Sequence, residues 1–174
     1  LEPFVPPPKQ MGISVKAAGE EIRKLSLPSM RLEKTVTGGI TFLNDAYNAN
    51  PSSFEAAVET LSGVDRGKSE KWVVAGDMRE LGDLSSEMHR AVGRKIADLK
   101  INFLVAMGEM GREILRGAVE NGMDKRNTHE AVSHEDAARW IKEKASSGAT
   151  VLVKGSRLMK MEEVIKCFTI SCTR

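Results

Sequence analysis

Short apolar runs alternate along the chain with longer segments whose apolar residues recur every three or four positions. The short runs are β-prone and predict strands at residues 40–43, 72–75, 103–107 and 150–153. The longer segments predict amphipathic helices, which lie at residues 51–63, 85–99, 114–119, 137–141 and 161–168. Strands that are apolar on both faces and alternate with such helices are typical of a parallel sheet covered on both sides. The pattern therefore predicts an α/β fold with a doubly wound, mostly parallel, Rossmann-like sheet.

Two of the predicted helices carry specific start signals. Asn50 is suited to cap a helix that begins at Pro51, because proline at the first helical position has no N–H to lose. Ser133, with Asp136 three residues later, resembles a capping box. A structural role is therefore the first expectation for Asn50.

The first part of the chain follows a different pattern. Residues 6–8 are three consecutive prolines, which favour extended polyproline geometry and predict a linker. A short helix is predicted at residues 14–25, and Pro28 stops it.

Composition and charge mainly exclude functions. The 26 Lys and Arg residues nearly balance the 24 Asp and Glu residues, so no basic field argues for a nucleic-acid partner. No apolar run approaches the roughly 20 residues of a membrane helix, so we expect a soluble protein without a membrane partner. The opening residues show no signal-peptide pattern. Two cysteines, Cys167 and Cys172, fit a reducing compartment better than a secreted one.

Candidate chemistry lies after the predicted strands, because doubly wound sheets bind ligands beyond the carboxyl ends of their strands. Residues 44–51 are the most specific segment there. The carboxylate of Asp45 can accept hydrogen bonds from ribose hydroxyls, and the amides of Asn48 and Asn50 can donate and accept. The ring of Tyr47 offers a surface for a base. A purely structural role explains Asp45 less well than Asn50.

Familiar phosphate and metal motifs are absent. Residues 63–69 have three residues between their glycines where a P-loop has four, and they precede a strand, so they predict a surface turn. No Gly-x-Gly-x-x-Gly follows a strand, which disfavours a dehydrogenase or methyltransferase. His129 and His134 are five residues apart and do not share a helix face, which argues against a metal site. His89 is predicted to be a surface residue.

Four segments together resemble the C-terminal domain of a Mur ligase, over about residues 28–164. They are residues 45–51, residues 76–82, residues 87–89 with Val92-Gly93, and residues 154–157. The first two segments are most similar to those of family members that add D-alanyl-D-alanine to UDP-N-acetylmuramoyl-tripeptide. Arg79 departs from the pattern, since the family more often has an apolar residue there.

The resemblance implies specific ligand contacts. In the family, an arginine before the first strand and an aspartate at its end contact ATP, and Arg31 and Asp45 match these positions. Asn48 and Asn50 are implied as secondary nucleotide contacts. The turn of Lys154, Gly155 and Ser156 is implied to hold the carboxylate of the incoming dipeptide. Asp77 is expected either to cap the next loop or to contact a ligand.

The resemblance also implies a larger enzyme. Family members are three-domain, ADP-forming ligases whose central domain carries the P-loop and the Mg²⁺ ligands. Residues 1–27 then correspond to a linker and the tail of that central domain, and residues 28–174 to the C-terminal domain. This domain closes over ATP and positions the amine that attacks an acyl phosphate, so it is expected to supply no catalytic residue, to bind no metal and to be inactive alone.

Two further expectations complete this interpretation. The implied setting is peptidoglycan precursor synthesis in a bacterial-type cytoplasm or in an organelle of bacterial descent. The alternative is a non-catalytic α/β binding or interaction module that kept the ligase scaffold, since a fold does not fix an activity.

Overall fold

The computed structural model describes residues 30–172, so the predicted linker over residues 1–27 and the helix at 14–25 lie outside the described residues. Within the described part, the strands form one six-stranded sheet in the order β1-β2-β6-β3-β4-β5. All neighbouring strands are parallel except β1 and β2. The strands are β1 (Glu33–Thr37), β2 (Ile40–Asp45), β3 (Lys71–Ala75), β4 (Phe103–Ala106), β5 (Thr128–Glu130) and β6 (Thr150–Lys154).

Helices cover both faces of the sheet. The helices α1, α2 and α3 pack with one set of core residues, and α4 and α5 pack with the other set on the opposite face. The predicted doubly wound, mostly parallel α/β fold is therefore confirmed. The α-helices of the described part are α1 (Pro51–Gly63), α2 (Ser85–Asp98), α3 (Gly111–Glu120), α4 (His134–Lys144) and α5 (Glu162–Cys172). None of them is long and apolar enough to cross a membrane.

Two edge strands, β1 and β5, were not predicted from the apolar pattern. β1 is antiparallel to β2, and the turn between them uses Gly38 and Gly39 with φ of 56° and 77°, as a two-residue hairpin requires. β1 is mostly exposed, and the three residues of β5 include no buried one. Edge strands bury little surface, so their sequences lack the apolar run that marks a central strand.

Both predicted helix caps are confirmed. The side-chain oxygen of Asn50 accepts the Ser53 N–H at 2.8 Å, and the Ser53 hydroxyl accepts the Asn50 N–H at 3.1 Å, which completes a capping box ahead of Pro51. The Ser133 hydroxyl accepts the Asp136 N–H at 3.2 Å. These bonds fix the residues at which α1 and α4 begin.

The helices α2 and α3 approach each other backbone to backbone at two glycines. A Cβ atom on Gly93 would lie 2.0 Å from the Ile114 carbonyl oxygen, and one on Gly117 would lie 2.0 Å from the Arg90 carbonyl oxygen. Only glycine permits this separation of the helix axes.

We expect Gly93→Ala to lower the free energy of unfolding by about 2 kcal/mol or more, because the methyl group must push two helix backbones apart. Gly63→Ala is the matched control: Gly63 ends α1 in a helical conformation, and a Cβ there meets no atom within 4 Å. The control is expected to be neutral or stabilising by about 0.5–1 kcal/mol. Urea denaturation measures both, and equal midpoints for the two variants would contradict the close approach.

Candidate functional site

The carboxyl ends of three neighbouring strands converge at one sheet edge. In the register of β2, β6 and β3, Asp45 lies beside Lys154, and Lys154 lies beside Ala75. The segments that follow these strands therefore meet, although residues 45 and 154 are 109 positions apart. Three of the four segments that carry the family resemblance follow these strands: residues 45–51, 76–82 and 154–157.

A buried ion pair joins the two strand ends. The Lys154 ammonium lies 2.5 Å from Oδ2 of Asp45 and donates to the carbonyl oxygen of Asn48 at 3.0 Å. The Lys154 side chain is 2% exposed and that of Asp45 is 15% exposed. The ring of Phe54 lies 5.9 Å below the ammonium. A buried ammonium needs such partners, because its loss of hydration is costly.

The segment that carries Arg31 is tied to the same strand end. The Leu32 N–H donates to Oδ1 of Asp45 at 3.2 Å, and the Tyr47 N–H donates to the Met30 carbonyl oxygen at 3.2 Å. The Arg31 guanidinium lies 4.5 Å from the centroid of the Tyr47 ring, within the range of a cation–π contact. These contacts bring Arg31 beside Asp45.

The backbone around Arg31 is strained on both sides. Met30 and Leu32 have φ of 64° and 51°, in the left-handed region that non-glycine residues seldom occupy. Each such residue costs about 1–3 kcal/mol, so the surrounding hydrogen bonds must hold it in place. Strain of this kind is concentrated at functional sites, and here it directs one exposed guanidinium toward the sheet edge.

All four residues predicted to bind nucleotide line one cavity of about 350 Å³, which we name the Asp45 cavity. Its lining residues are Arg31, Leu32, Asp45, Tyr47, Asn48, Asn50, Ser53 and Lys154. The cavity thus combines a guanidinium, a carboxylate and an aromatic ring that is 45% exposed. The convergence of Arg31 and Asp45 required by the sequence interpretation is present.

A second cavity of about 370 Å³ adjoins the first, and we name it the Ser156 cavity. Its lining residues are Asn48, Ala49, Asn50, Arg79, Glu80, Leu81, Ser156, Arg157 and Leu158. Asn48 and Asn50 line both cavities. The Ser156 hydroxyl is buried and has no hydrogen-bond partner among the described residues. The lining includes the guanidinium groups of Arg79 and Arg157 and the carboxylate of Glu80, and Arg157 already donates to Glu162 at 2.7 Å. The two guanidinium groups suit an anionic group, which would reach the buried Ser156 hydroxyl only after neighbouring side chains move.

The three residues predicted to bind the dipeptide occupy different surroundings. Lys154 faces the Asp45 cavity, whereas Ser156 faces the Ser156 cavity. Gly155 is packed between them: a Cβ there would lie 2.7 Å from the Met161 side chain and 3.0 Å from Cα of Gly76. The turn therefore divides its side chains between two neighbouring cavities.

Asp77 has a structural role. Its carboxylate accepts the N–H groups of Glu109 and Met110 at 2.9 and 3.0 Å, and it is 2% exposed. Gly108 allows this approach, because a Cβ there would lie 2.4 Å from Oδ1 of Asp77. Of the two roles expected from the sequence, the structure supports capping of the next loop.

The prediction that His89 is a surface residue is wrong. Its ring is fully buried, with Nε2 2.8 Å from the Met78 backbone nitrogen and Nδ1 2.6 Å from the Ser85 carbonyl oxygen. The spacing of His89 with Val92 and Ile96 places it on the buried face of α2. This spacing was the available signal, and the charged neighbours of His89 obscured it.

The other histidine cluster is structural. His129 stacks on Trp140 with ring centroids 5.2 Å apart, and its Nε2 lies 3.0 Å from Asp136. Burial of Asp136 raises its pKa, but hydrogen bonds from the Val132 N–H, Arg139 and His129 outweigh this and lower the pKa of Asp136 below its ordinary value. Among residues 30–172, no three His, Cys, Asp or Glu side chains are grouped to hold a metal ion.

A family model described as "Mur ligase, glutamate ligase domain" matches residues 30–157, which include the residues lining the Asp45 cavity and all but one of those lining the Ser156 cavity. The chain belongs to the Mur ligase family. Its predicted resemblance to a Mur ligase C-terminal domain is thereby confirmed.

Two Mur ligases that are similar in sequence to this chain carry the same enzyme name. The chain is 37% identical over 156 residues to UDP-N-acetylmuramoyl-tripeptide–D-alanyl-D-alanine ligase of Bacillus subtilis, covering 89% of this chain and 34% of that protein. It is 33% identical over 146 residues to the ligase of the same name from Mycobacterium tuberculosis H37Rv, covering 72% and 28%. The chain thus spans about a third of the length of these relatives.

Solved Mur ligase structures share the fold. A MurF crystal structure from Acinetobacter baumannii superposes with a TM-score of 0.78 at 26% identity, covering 94% of this chain and 35% of that one. MurF ligase from Thermotoga maritima in complex with ADP gives a TM-score of 0.78 at 22% identity, covering 95% and 36%. The second likeness supports the fold alone.

We expect Lys154→Met to lower the free energy of unfolding by about 2–4 kcal/mol, because it leaves the Asp45 carboxylate without its cation in a mostly buried position. Adding Asp45→Asn should recover part of the loss, so the double variant is more stable than Lys154→Met alone. Lys166→Met is the control, since the Lys166–Glu163 pair is exposed and its loss should leave the midpoint nearly unchanged. Strictly additive losses in the double variant would exclude coupling between residues 45 and 154.

Proposed function

We propose that this chain is the nucleotide-closing domain of an ATP-dependent, ADP-forming ligase that adds D-alanyl-D-alanine to UDP-N-acetylmuramoyl-tripeptide. The observation that carries the proposal is the single cavity shared by Arg31, Asp45, Asn48 and Asn50. The names of relatives up to 37% identical support the choice of substrates. The proposed setting is peptidoglycan precursor synthesis in the cytoplasm of a bacterium or in an organelle of bacterial descent.

The nucleotide is assigned to the Asp45 cavity on chemical grounds. Each carboxylate oxygen of Asp45 accepts one hydrogen bond within the chain, so each retains a lone pair for a ribose hydroxyl. The exposed Arg31 guanidinium suits phosphate oxygens or the acceptor atoms of a base. The ring of Tyr47 supplies a surface for stacking. Asn50 uses its amide oxygen as a helix cap, so only its amide N–H₂ group remains to donate.

The incoming dipeptide is assigned to the Ser156 cavity. Its carboxylate would accept from the guanidinium group of Arg79 and from the N–H groups of Arg157 that do not bind Glu162. A small movement of the turn would let it accept from the buried Ser156 hydroxyl as well. Gly155 lets the turn pack closely against the end of β3. Lys154 would act through Asp45 at the boundary between the two ligands, because its ammonium is already paired.

The proposed contribution of this chain is positioning. In the proposed reaction, the tripeptide carboxylate takes the γ-phosphoryl group of ATP and ADP leaves. The amine of D-alanyl-D-alanine then attacks the acyl phosphate, loses a proton and displaces inorganic phosphate to form the amide bond. Holding the dipeptide beside the nucleotide would bring its amine close to the carboxylate that ATP activates, which lowers the entropic cost of the attack. As the family resemblance implies, Mg²⁺ would be held by the central domain of the longer protein, and this chain alone is expected to be inactive.

The alternative of a non-catalytic interaction module is not favoured. The relatives identified above, which match most of this chain, are named as ligases.

Arg31→Ala, introduced into the full-length protein, is expected to raise KM for ATP about tenfold or more, because a charge-assisted hydrogen bond to the nucleotide is lost. The melting temperature should not change, since Arg31 is exposed. Arg126→Ala, which removes an exposed arginine that lines neither cavity, is the control. ADP release measures both, and identical ATP kinetics in wild type and Arg31→Ala would remove the nucleotide assignment.

Ser156→Ala is expected to leave stability unchanged or slightly increased, because its hydroxyl has no partner in the described residues. KM for D-alanyl-D-alanine should rise about five- to tenfold while KM for ATP stays within about twofold. Ser147→Ala, at an exposed serine outside both cavities, serves as the control. An unchanged dipeptide KM in Ser156→Ala would exclude this serine as a ligand contact.

A further inference from the structure

The loop between β3 and α2 forms one wall of the Ser156 cavity through Arg79, Glu80 and Leu81. Its conformation is not the one that the local sequence prefers. Glu80 has φ of 64°, in the left-handed region, and Gly82 has φ of 54°. A non-glycine residue stays in that region only where tertiary contacts hold it. The position of this wall therefore depends on what anchors the loop.

Tertiary hydrogen bonds anchor the beginning of the loop. The Ser156 N–H donates to the Asp77 carbonyl oxygen at 2.8 Å, and the Asp77 carboxylate binds the loop after β4 through Glu109 and Met110. These bonds fix Asp77, which precedes the cavity wall. The next residue is fixed by His89, whose Nε2 lies 2.8 Å from the Met78 nitrogen.

The geometry assigns one tautomer to His89. The Met78 N–H can only donate, so Nε2 must be an unprotonated acceptor. Nδ1 then carries the hydrogen and donates to the Ser85 carbonyl oxygen at 2.6 Å, one turn earlier on α2. Because His89 and Met78 are both buried, water cannot readily replace the acceptor if the ring is removed.

We propose that His89 is a positioning residue for the Ser156 cavity. By accepting the Met78 N–H, it ties the wall formed by residues 79–81 to α2 and holds it opposite Ser156. One bound group can then contact both sides of the cavity. The identity of that group, the carboxylate of a dipeptide, rests on the proposed function.

The first test is structural and uses the 174-residue chain without any ligand. Nitrogen-15 NMR should find Nε2 of His89 unprotonated and Nδ1 protonated. In His89→Ala, hydrogen exchange of the Met78 amide should accelerate about tenfold or more, and the amide signals of residues 79–81 should shift. His89→Gln should restore most of the protection, since its side-chain oxygen can accept the same N–H. A protonated Nε2, or an unaltered Met78 amide in His89→Ala, would overturn the proposal.

The second test is kinetic and uses the full-length protein. His89→Ala should raise KM for D-alanyl-D-alanine about tenfold, with KM for ATP within about twofold, and His89→Gln should rescue the dipeptide KM. His129→Ala, at a histidine that lines neither cavity, is the control. A displaced Met78 amide with an unchanged dipeptide KM would overturn the positioning role. Absence of dipeptide-dependent turnover in the wild type would instead overturn the proposed function, and the NMR result would still decide whether His89 anchors the loop.

Discussion

The architecture of the site depends on a buried ion pair between the ends of two parallel strands. Lys154 cannot be buried at this edge without Asp45, because a desolvated ammonium is too costly to leave unpaired. Pairing fixes the Asp45 carboxylate, and that carboxylate in turn binds the backbone of Leu32 and thereby holds the segment of Arg31. Lys154 also holds the carbonyl group of Asn48. One interaction therefore orders three sides of the Asp45 cavity.

The neighbouring Ser156 cavity is organised by a different kind of contact. Its walls are held by polar groups that bind backbone N–H groups of adjacent loops: Asp77 binds the loop after β4, and His89 binds Met78. The loops at this edge place apolar residues such as Met78 and Met107 in the core, and the buried polar acceptors satisfy backbone N–H groups that would otherwise be left without a partner. Ser156 is the exception, since its buried hydroxyl has no partner in the described residues. The unpaired hydroxyl distinguishes Ser156, which we propose as a ligand contact, from Asp77 and His89, which bind the backbone.

The sequence correctly predicted those features whose signal lies within a few consecutive residues. The caps at Asn50 and Ser133 and the apolar central strands were found because their signals lie within a few consecutive residues. The edge strands β1 and β5 were missed because they bury little surface. His89 was predicted to lie on the surface because it is polar and has charged neighbours, although its spacing along α2 places it on the buried face. The edge strands lacked a local signal, whereas the signal for His89 was present in its spacing with Val92 and Ile96.

The resemblance to Mur ligases implied that Arg31, Asp45, Asn48 and Asn50 act on one ligand. The pattern of apolar and polar residues by itself determined the α/β class and the succession of the central strands and helices along the chain. These features depend on periodicity and on residue chemistry, which are local properties. Only the tertiary structure decided that Lys154 pairs with Asp45, that Ser156 faces a separate cavity, and that Asp77 and His89 support loops. Those outcomes depend on strand order and on tertiary contacts. The contacts join residues 11 positions apart for His89 and Met78 and 109 positions apart for Lys154 and Asp45, and no pattern within a few consecutive residues encodes them.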